Sequence, residues 1–482
     1  MAARAIFLFG LAAAGQAAPS MKDFHRTCQG EKTTPEQLHF NYAGDRGMTI
    51  SWNTKAKLEF PAVRYGRDRW LDQIAFSEVS VTYPTSTTYS NHVFIDGLEP
   101  DTEYSFSVLC ADENDHHRFK TSIAPGNPRP YTFAFIGDLG TMGPLGLADY
   151  GQEDALSPGE ITTMQSLGQF KNQFEFVWHD GDLAYADDWL KEERNGFLPN
   201  TTTEGGAAVY EAILNAFYNE MAQNITMDRP YMVGPGNHEA NCDNGGSGPY
   251  TDSICMEGQT NFTGFRNHFR MPSAQSGGLE NFWFSWDSGL VHYIQFNTET
   301  DFPDAPDLPG GSGEENAGPF APNGTQIEWL KRDLASVDRK KTPWIIVAGH
   351  RPWYVDDSKC DSCQTAFEPL LLEYGVDIAL FGHKHFYERM TPIANNTPDS
   401  KGLNNPSAPW YIVNGAAGHY EGLSSVDTPY ENYTVKAIDT VYGWSRFTVH
   451  NCTHITQDFI ASANGTVLDS ATLYKNHDGC KF

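Results

Sequence analysis

Five short blocks of metal-ligand residues punctuate this 482-residue chain, each at the end of an apolar run. They are Gly137-Asp138-Leu139-Gly140, Gly181-Asp182-Leu183-Ala184-Tyr185, Gly236-Asn237-His238-Glu239, Val347-Ala348-Gly349-His350 and Gly382-His383-Lys384-His385. Their donors divide into two sets. Asp138, Asp182, Tyr185 and His385 make an oxygen-rich set, and hard oxygen donors suit a trivalent ion. Asp182, Asn237, His350 and His383 make a more neutral set, suited to zinc or ferrous iron. Asp182 serves both, because one carboxylate has two oxygens to bridge with. A cation pair held this way neutralises phosphate oxygens and acidifies a bound water, and the resulting hydroxide attacks phosphorus in line with the leaving alkoxide. A glycine near the ligands lets the backbone turn sharply and approach the ions. In extended chain, His383 and His385 project to the same side.

Taken singly, none of these elements is informative. Gly-Asp is a common turn, Gly-Asn-His a turn with a polar core histidine, Tyr185 a packing residue, and His-x-His a weak metal signal. Their joint occurrence, in this order and at strand ends, points to a dimetal site.

The elements around the blocks explain how they meet. From about residue 131 onward, apolar runs at 131–136, 174–178, 344–347, 376–381 and 410–413 read as strands. Helical stretches are expected at 161–170, 207–222, 326–337 and 365–374, with Ile327, Leu330 and Leu334 at helical spacing. Strands alternating with helices argue for an α/β domain, whose ligands bind beyond the carboxyl ends of the strands. Two β-rich stretches, 282–297 and 442–473, add antiparallel strands and a second sheet. Residues 302–324, rich in Pro, Gly and Asp, read as a long surface loop. Residues 33–125 differ, alternating at 48–52, 78–83, 92–95 and 104–109, the pattern of a β-sandwich. Pro125, Pro128 and Pro130 mark the linker between the two regions.

The net charge is −28 and the sequence pI about 4.8. That balance opposes binding to nucleic acid or an anionic membrane. The N-terminus reads as a secretory signal over residues 1–18, with Arg4, an apolar core from Ala5 to Ala14, and small residues around Ala17 and Ala18. No later segment approaches a membrane span. Eight Asn-x-Ser/Thr sequons, at Asn200, Asn224, Asn261, Asn323, Asn395, Asn432, Asn451 and Asn464, agree with export and glycosylation. The eight cysteines suit disulfides in an oxidising compartment. Proximity pairs Cys242 with Cys255, Cys360 with Cys363 and Cys452 with Cys480, leaving Cys28 with Cys110. Cys360-x-x-Cys363 also has the form of a redox pair or a zinc half-site, but there is no thioredoxin-like context and no second Cys pair nearby.

The five blocks match, without a gap, the GDxG, GDxxY, GNH(D/E), VxxH and GHxH pattern of the purple acid phosphatases. The chain resembles the large plant and fungal form of that family, within the binuclear metallophosphoesterases. The resemblance extends to Gly97-Leu98-Glu99-Pro100-Asp101-Thr102-Glu103-Tyr104, a fibronectin III-like turn, and to Tyr387-Glu388-Arg389 and Gly415-Ala416-Ala417-Gly418-His419. Gly140 stands where related phosphoesterases carry a histidine ligand, and Tyr185 appears instead, as in the purple enzymes. The implied fold is an α/β metallophosphoesterase-type sandwich at 131–482, two β-sheets flanked by helices, preceded by an all-β fibronectin III-like sandwich at 33–125. The implied function is a secreted acid phosphatase acting on phosphate monoesters, phytate among the candidates. Its cofactors would be Fe(III), coloured by the Tyr185 phenolate, plus divalent Zn, Fe or Mn. Alternatives are a phosphodiesterase or nucleotide pyrophosphatase on the same site, and a non-catalytic metal-binding glycoprotein. The sandwich would be a scaffold or a homodimerisation module, with carbohydrate binding the alternative. His238 is the family's candidate for protonating the leaving oxygen or binding phosphate. Many plant members carry a histidine pair in the loop after Pro352-Trp353-Tyr354. Here Val355-Asp356-Asp357-Ser358-Lys359 follows, and Asp356, Asp357 or Lys359 is expected to tune substrate choice.

Overall fold

The computed structural model describes residue 28, then 30–67, 71–112, 114–141, 160–189, 205–242, 254–313, 315–418, 421–477 and 480. The signal-like segment 1–18 and Asn200 lie outside the described residues. Residues 36–120 form two four-stranded sheets. The first has β1 (Glu36–Tyr42), β2 (Met48–Thr54), β5 (Ser80–Val81) and β6 (Tyr89–Ile95), and the second has β3 (Ala62–Gly66), β4 (Gln73–Phe76), β7 (Glu103–Val108) and β8 (His117–Lys120). Phe40, Phe106 and Phe119 interlock between them. The Glu99 N–H donates to the Tyr104 hydroxyl at 3.0 Å, a tyrosine corner that pins the Gly97–Tyr104 turn. The strand expected at 78–83 shrinks to Ser80–Val81, flanked by side-chain bonds in place of the ladder: Ser77 Oγ donates to the His92 carbonyl and Thr82 Oγ1 to the Thr88 carbonyl.

Two mixed sheets and a two-stranded hairpin, β17 (Ile393–Ala394) and β18 (Thr397–Pro398), form the larger region. One mixed sheet contains β9 (Tyr131–Ile136), β10 (Val177–Asp180) and β11 (Tyr231–Gly234), parallel and adjacent, continued by antiparallel β21 (Gly443–Val449), β22 (His454–Ala461) and β23 (Val467–Tyr474). The other runs from β12 (Phe284–Ser288) through parallel β13 (Val291–Gln295), β14 (Trp344–Ala348), β15 (Ile378–Phe381) and β19 (Trp410–Asn414), and ends on antiparallel β16 (Tyr387–Met390) and β20 (Thr434–Ile438). Their inner faces meet through aromatic rings: Phe133 stacks on Phe176 and Phe447, and Tyr293 meets Phe133, Phe176 and Trp178 edge-on. Polar links also cross the layer. Trp178 donates to Gln295, and Gln295 donates to the buried Asp180 carboxylate at 2.8 Å.

Helices Thr163–Phe170, Gly206–Met221, Thr325–Ser336 and Asp361–Glu373 lie near the expected positions. The last begins four residues before the expected start, because Cys360 caps it through the Cys363 N–H. The expected surface loop 302–324 has no regular structure before Thr325, but Phe302, Ala305, Asp307 and Glu315 are buried. Among the described residues the loop is exposed at Asp304, Gly310 and Asn323, as expected of a surface loop, and sends these four side chains into the interior. The structure contains four disulfides, Cys28–Cys110, Cys242–Cys255, Cys360–Cys363 and Cys452–Cys480. Among the described residues no helix is long and apolar enough to cross a membrane.

The two regions share a polar seam. The His268 carbonyl faces His39 Nε2 at 3.1 Å, Thr226 donates to the Leu38 carbonyl, and Tyr83 and Thr85 both donate to the buried Glu211 carboxylate. The sandwich thereby braces helix Gly206–Met221 behind the third ligand block.

Candidate metal centre

The parallel strands β9, β10 and β11 of one sheet and β14 and β15 of the other all deliver their carboxyl ends to one edge of the layered core. The five blocks follow those ends directly. Asp138, Asp182, Asn237 and His350 are buried there, with His383 and His385 partly exposed beside them.

Donor spacing is that of ligands rather than of ordinary packing. Tyr185 Oη lies 3.0 Å from Asp138 Oδ1, 3.4 Å from Asp182 Oδ2 and 3.1 Å from His385 Nε2. On the other side, His350 Nε2 lies 2.8 Å from Asp182 Oδ2. Donors each about 2.1 Å from one cation sit roughly 3 Å apart when adjacent. His350 Nδ1 donates to the Asp180 carbonyl at 2.8 Å, so Nε2 is the ring atom that faces the Asp182 carboxylate. Without a metal that contact needs a proton on Nε2, and a cation beside both atoms would take the proton's place. The Asn237 side-chain oxygen is buried without a hydrogen-bond partner. Asp182, His350 and His383 form a three-donor cluster on this side. The residues therefore fit a cation pair.

The backbone is strained to reach these positions. Asp138, Asp182, Tyr185 and His383 all adopt positive φ, at 61°, 52°, 51° and 69°. Left-handed backbone is unusual for residues with a side chain and concentrates at functional sites. The Asp182 and Leu183 N–H groups and the Gly236 N–H donate to the Glu239 carboxylate at 2.7–2.9 Å, tying the second block to the third. Gly236 and Gly382 leave room that a side chain would fill: a Cβ at Gly236 would stand 2.2 Å from Asp182 Oδ1, and one at Gly382 2.6 Å from Asp138 Oδ2.

Electrostatics point the same way. Burial drives the Asp182 carboxyl up, but the His350 and His238 rings outweigh it and hold it well below the usual carboxylate range. Burial and the carboxylates of Asp138 and Asp182 push the Tyr185 phenol well above its usual range. A phenolate there requires an adjacent cation.

His238 lies at the edge of the cluster, its ring 4.1 Å from that of Tyr185. His238 Nδ1 pairs with Asp187 Oδ2 at 2.8 Å, and Nε2 faces Asp182 Oδ2 at 3.9 Å. Burial raises the Asp187 carboxyl to about 7, with His238 opposing the rise. Asp187 and Asp188 carry no signal in the sequence, although only Ala186 separates them from Tyr185. Arg351 and its partners Glu299 and Asp307 carry none either, since only folding brings residues 299, 307 and 351 together.

The substrate-loop residues lie in different places. Asp356 is buried away from the ligands, its carboxylate accepting the Glu431 N–H. Asp357 pairs with Lys384 at 3.3 Å, and Lys359 pairs with Glu431 at 2.6 Å while lining a cavity of about 670 Å³. The same cavity is lined by Arg351, His383 and Cys360, so it opens directly onto the ligand cluster. Asn261, Asn323, Asn395, Asn432 and Asn464 are exposed, and Asn224 and Asn451 are half-buried.

Fold and site together define a metallophosphoesterase. Residues 131–387 match the calcineurin-like phosphoesterase family model, residues 35–121 the N-terminal domain of purple acid phosphatase, and residues 408–470 the iron/zinc purple acid phosphatase-like protein C. Acid phosphatase A of Cryphonectria parasitica is 38% identical over 94% of both chains, and an acid phosphatase of Aspergillus ficuum is 33% identical over 89% of this chain and 85% of its own. Purple acid phosphatase 18 of Arabidopsis thaliana is 30% identical over 82% of this chain and 74% of its own. A purple acid phosphatase from yellow lupin (Lupinus luteus) seeds shares the fold at a TM-score of 0.68, with 21% identity over 92% of this chain and 75% of that one. The chain belongs to the purple acid phosphatase family.

Proposed function

We propose that this protein is an exported acid phosphatase that hydrolyses phosphate monoesters at a dinuclear centre. The observation that carries the reading is the set of donors from four separate blocks at about 3 Å spacing on one edge of the core, with the buried Asn237 side-chain oxygen of the fifth left without a hydrogen-bond partner. Asp138, Tyr185 and His385 would hold Fe(III), Asn237, His350 and His383 a divalent zinc, iron or manganese ion, and Asp182 would belong to both. Bound there, the two cations supply Lewis-acid charge that neutralises phosphate oxygens and acidifies water.

The chain's own groups do the rest. Asp187 accepts from Nδ1–H and fixes the His238 ring, and the imidazolium carries its second proton on Nε2, on the side facing the ligand cluster. His238 is the proton donor to the leaving alkoxide, and its proton is held by three neighbouring carboxylates, Asp187, Asp182 and Asp188, against the effect of burial. His350 is kept in the tautomer that leaves Nε2 open by the Asp180 carbonyl. Glu239 holds the Asp182 loop in its strained conformation. The loop at Asp356, Asp357 and Lys359 shapes the cavity and thereby substrate choice, phytate included. The catalytic unit spans residues 131–482, and the sandwich at 33–125 serves as its brace, with homodimerisation a further role. Export is supported by the signal-like N-terminus, the four disulfides and the exposed sequons.

Elemental analysis combined with a visible spectrum and hydrolysis of mono- and diester model substrates from acid to neutral pH tests this reading. Iron with a second metal, a purple or pink colour and preferred monoester hydrolysis in acid are expected. Two bound metals without activity on any ester would point to a metal-binding glycoprotein, and faster diester cleavage to a phosphodiesterase.

A further inference from the structure

Of the charged side chains lining the cavity of about 670 Å³, Arg351 is the most buried. Its guanidinium is fixed on two sides. Nε donates to Glu299 Oε2 at 2.6 Å and Nη2 donates to Asp307 Oδ1 at 3.0 Å, and both carboxylates are fully buried. Glu299 is itself held by Thr298 Oγ1, which also accepts the Arg351 N–H. A planar fork pinned at two nitrogens has its third nitrogen aimed without rotamer freedom. That third nitrogen, Nη1, points toward the ligand cluster and meets His383 Nε2 at 3.1 Å.

This last contact is incompatible with His383 acting as a ligand, whichever ring nitrogen it uses. If Nε2 is the ligand atom, its lone pair is no longer available to Nη1–H. If Nδ1 is the ligand atom, neutral imidazole places its proton on Nε2, so that two donors confront each other. Either way the Nη1 donor loses its acceptor while lining the cavity beside the cations. An unpaired buried donor carries a cost, and the natural acceptor is an anionic oxygen arriving in that cavity.

We propose that Arg351 Nη1 binds an oxygen of the substrate phosphate. Glu299 and Asp307 are positioning residues that aim it. Because both carboxylates offset its charge, Arg351 acts as an oriented donor more than as a source of net positive charge. The inference rests on the dinuclear reading above.

The test uses the metal-loaded full chain and inorganic phosphate as the probe. Arg351→Lys keeps a charge but cannot span both carboxylates and the cavity. Its expected signature is full metal content, an unchanged visible band, phosphate binding weakened about 30-fold by calorimetry (roughly 2 kcal/mol at 1.36 kcal/mol per decade), and a comparable loss in kcat/KM. Asp307→Asn should weaken phosphate binding to a smaller degree, again without metal loss. Arg351→Met combined with Glu299→Gln and Asp307→Asn removes the guanidinium without stranding two buried carboxylates, and should match Arg351→Lys should that variant fail to fold. Phosphate affinity within threefold of wild type in metal-complete variants overturns the proposal. So does loss of metal from Arg351→Lys, since Arg351 would then act only by supporting His383. Phosphate binding is read without turnover, so a wild-type protein that binds phosphate through Arg351 but hydrolyses no ester would sink the proposed function while leaving this assignment intact.

Discussion

Replacing Gly236 with alanine isolates the contribution of space at the centre. Gly236 has φ −121° and ψ 179°, extended backbone that alanine adopts freely, so no conformational penalty accompanies the change. The added methyl would nevertheless stand 2.2 Å from Asp182 Oδ1 and 2.4 Å from the Asp182 N–H nitrogen. Ordinary contact begins near 3.4 Å, so the Asp182 loop must move by roughly 1 Å. It has little freedom to do so gently. Asp182 Oδ1 accepts the His238 N–H at 2.9 Å, and Oδ2 faces His350 Nε2 at 2.8 Å. The Asp182 N–H is held by Glu239, which also holds Gly236. A displacement of about 1 Å at a reacting centre costs on the order of 100-fold in rate. We expect Gly236→Ala to fold, to lose at least one metal equivalent and to fall about 100-fold or more in kcat/KM. Metal content by plasma emission spectrometry, steady-state kinetics and thermal unfolding of the same preparation measure the three quantities. A variant with both metals and kcat/KM within threefold of wild type would refute the idea that Asp182 is a shared ligand seated in a steric cradle.

The remaining expectations follow from individual side chains. Tyr185→Phe should remove the visible charge-transfer band and weaken the oxygen-rich site; persistence of the colour would exclude Tyr185 as its source. His238→Ala should lower kcat by about 10²- to 10⁴-fold with both metals retained, in the range of a lost general acid, and Asp187→Asn should lower it less; equal rates for esters of good and poor leaving groups in His238→Ala would argue against proton donation. Chelation should destabilise the fold, since metal at a thousand times its dissociation constant adds about 4 kcal/mol to the folded state alone; an unfolding midpoint indifferent to chelator would contradict a preformed site. Burial lowers the His292 ring, but hydrogen bonds to Asp287 and Asp333 prevail and raise it to about 9. A raised histidine stabilises the fold fully below its unfolded value of 6.5 and loses that contribution as pH climbs through 9. About 3 kcal/mol should vanish across that window; His292→Gln should flatten it, and parallel stability curves for the two proteins would disprove the assignment.

Much of this could be read in one dimension. The apolar runs of β9, β14, β15 and β19 and the periodicity of helix Thr325–Ser336 are local properties, set by alternation and helical spacing. The five ligand blocks are equally local, because each pairs a side chain with the glycine that gives its backbone room. What the sequence could not display is register and reach. The strand expected at 78–83 depended on a partner and on which groups Ser77 and Thr82 would bond. The loop at 302–324 looked solvated from its Pro, Gly and Asp content, yet Asp307 turns inward to meet a guanidinium 44 residues away. Asp187 acquired meaning only beside His238, and Arg351 only beside Glu299, Asp307 and His383.

By itself the sequence determined the candidate donor set, the order of its blocks and the strand ends that carry them, because those rest on residue type and short-range geometry. Only the tertiary structure decided that two sheets bring their parallel strand ends to one edge, that four residues of the site adopt positive φ, and that a pinned arginine faces the cavity. Those features depend on contacts between segments tens to hundreds of residues apart, and a chain acquires such contacts only by packing.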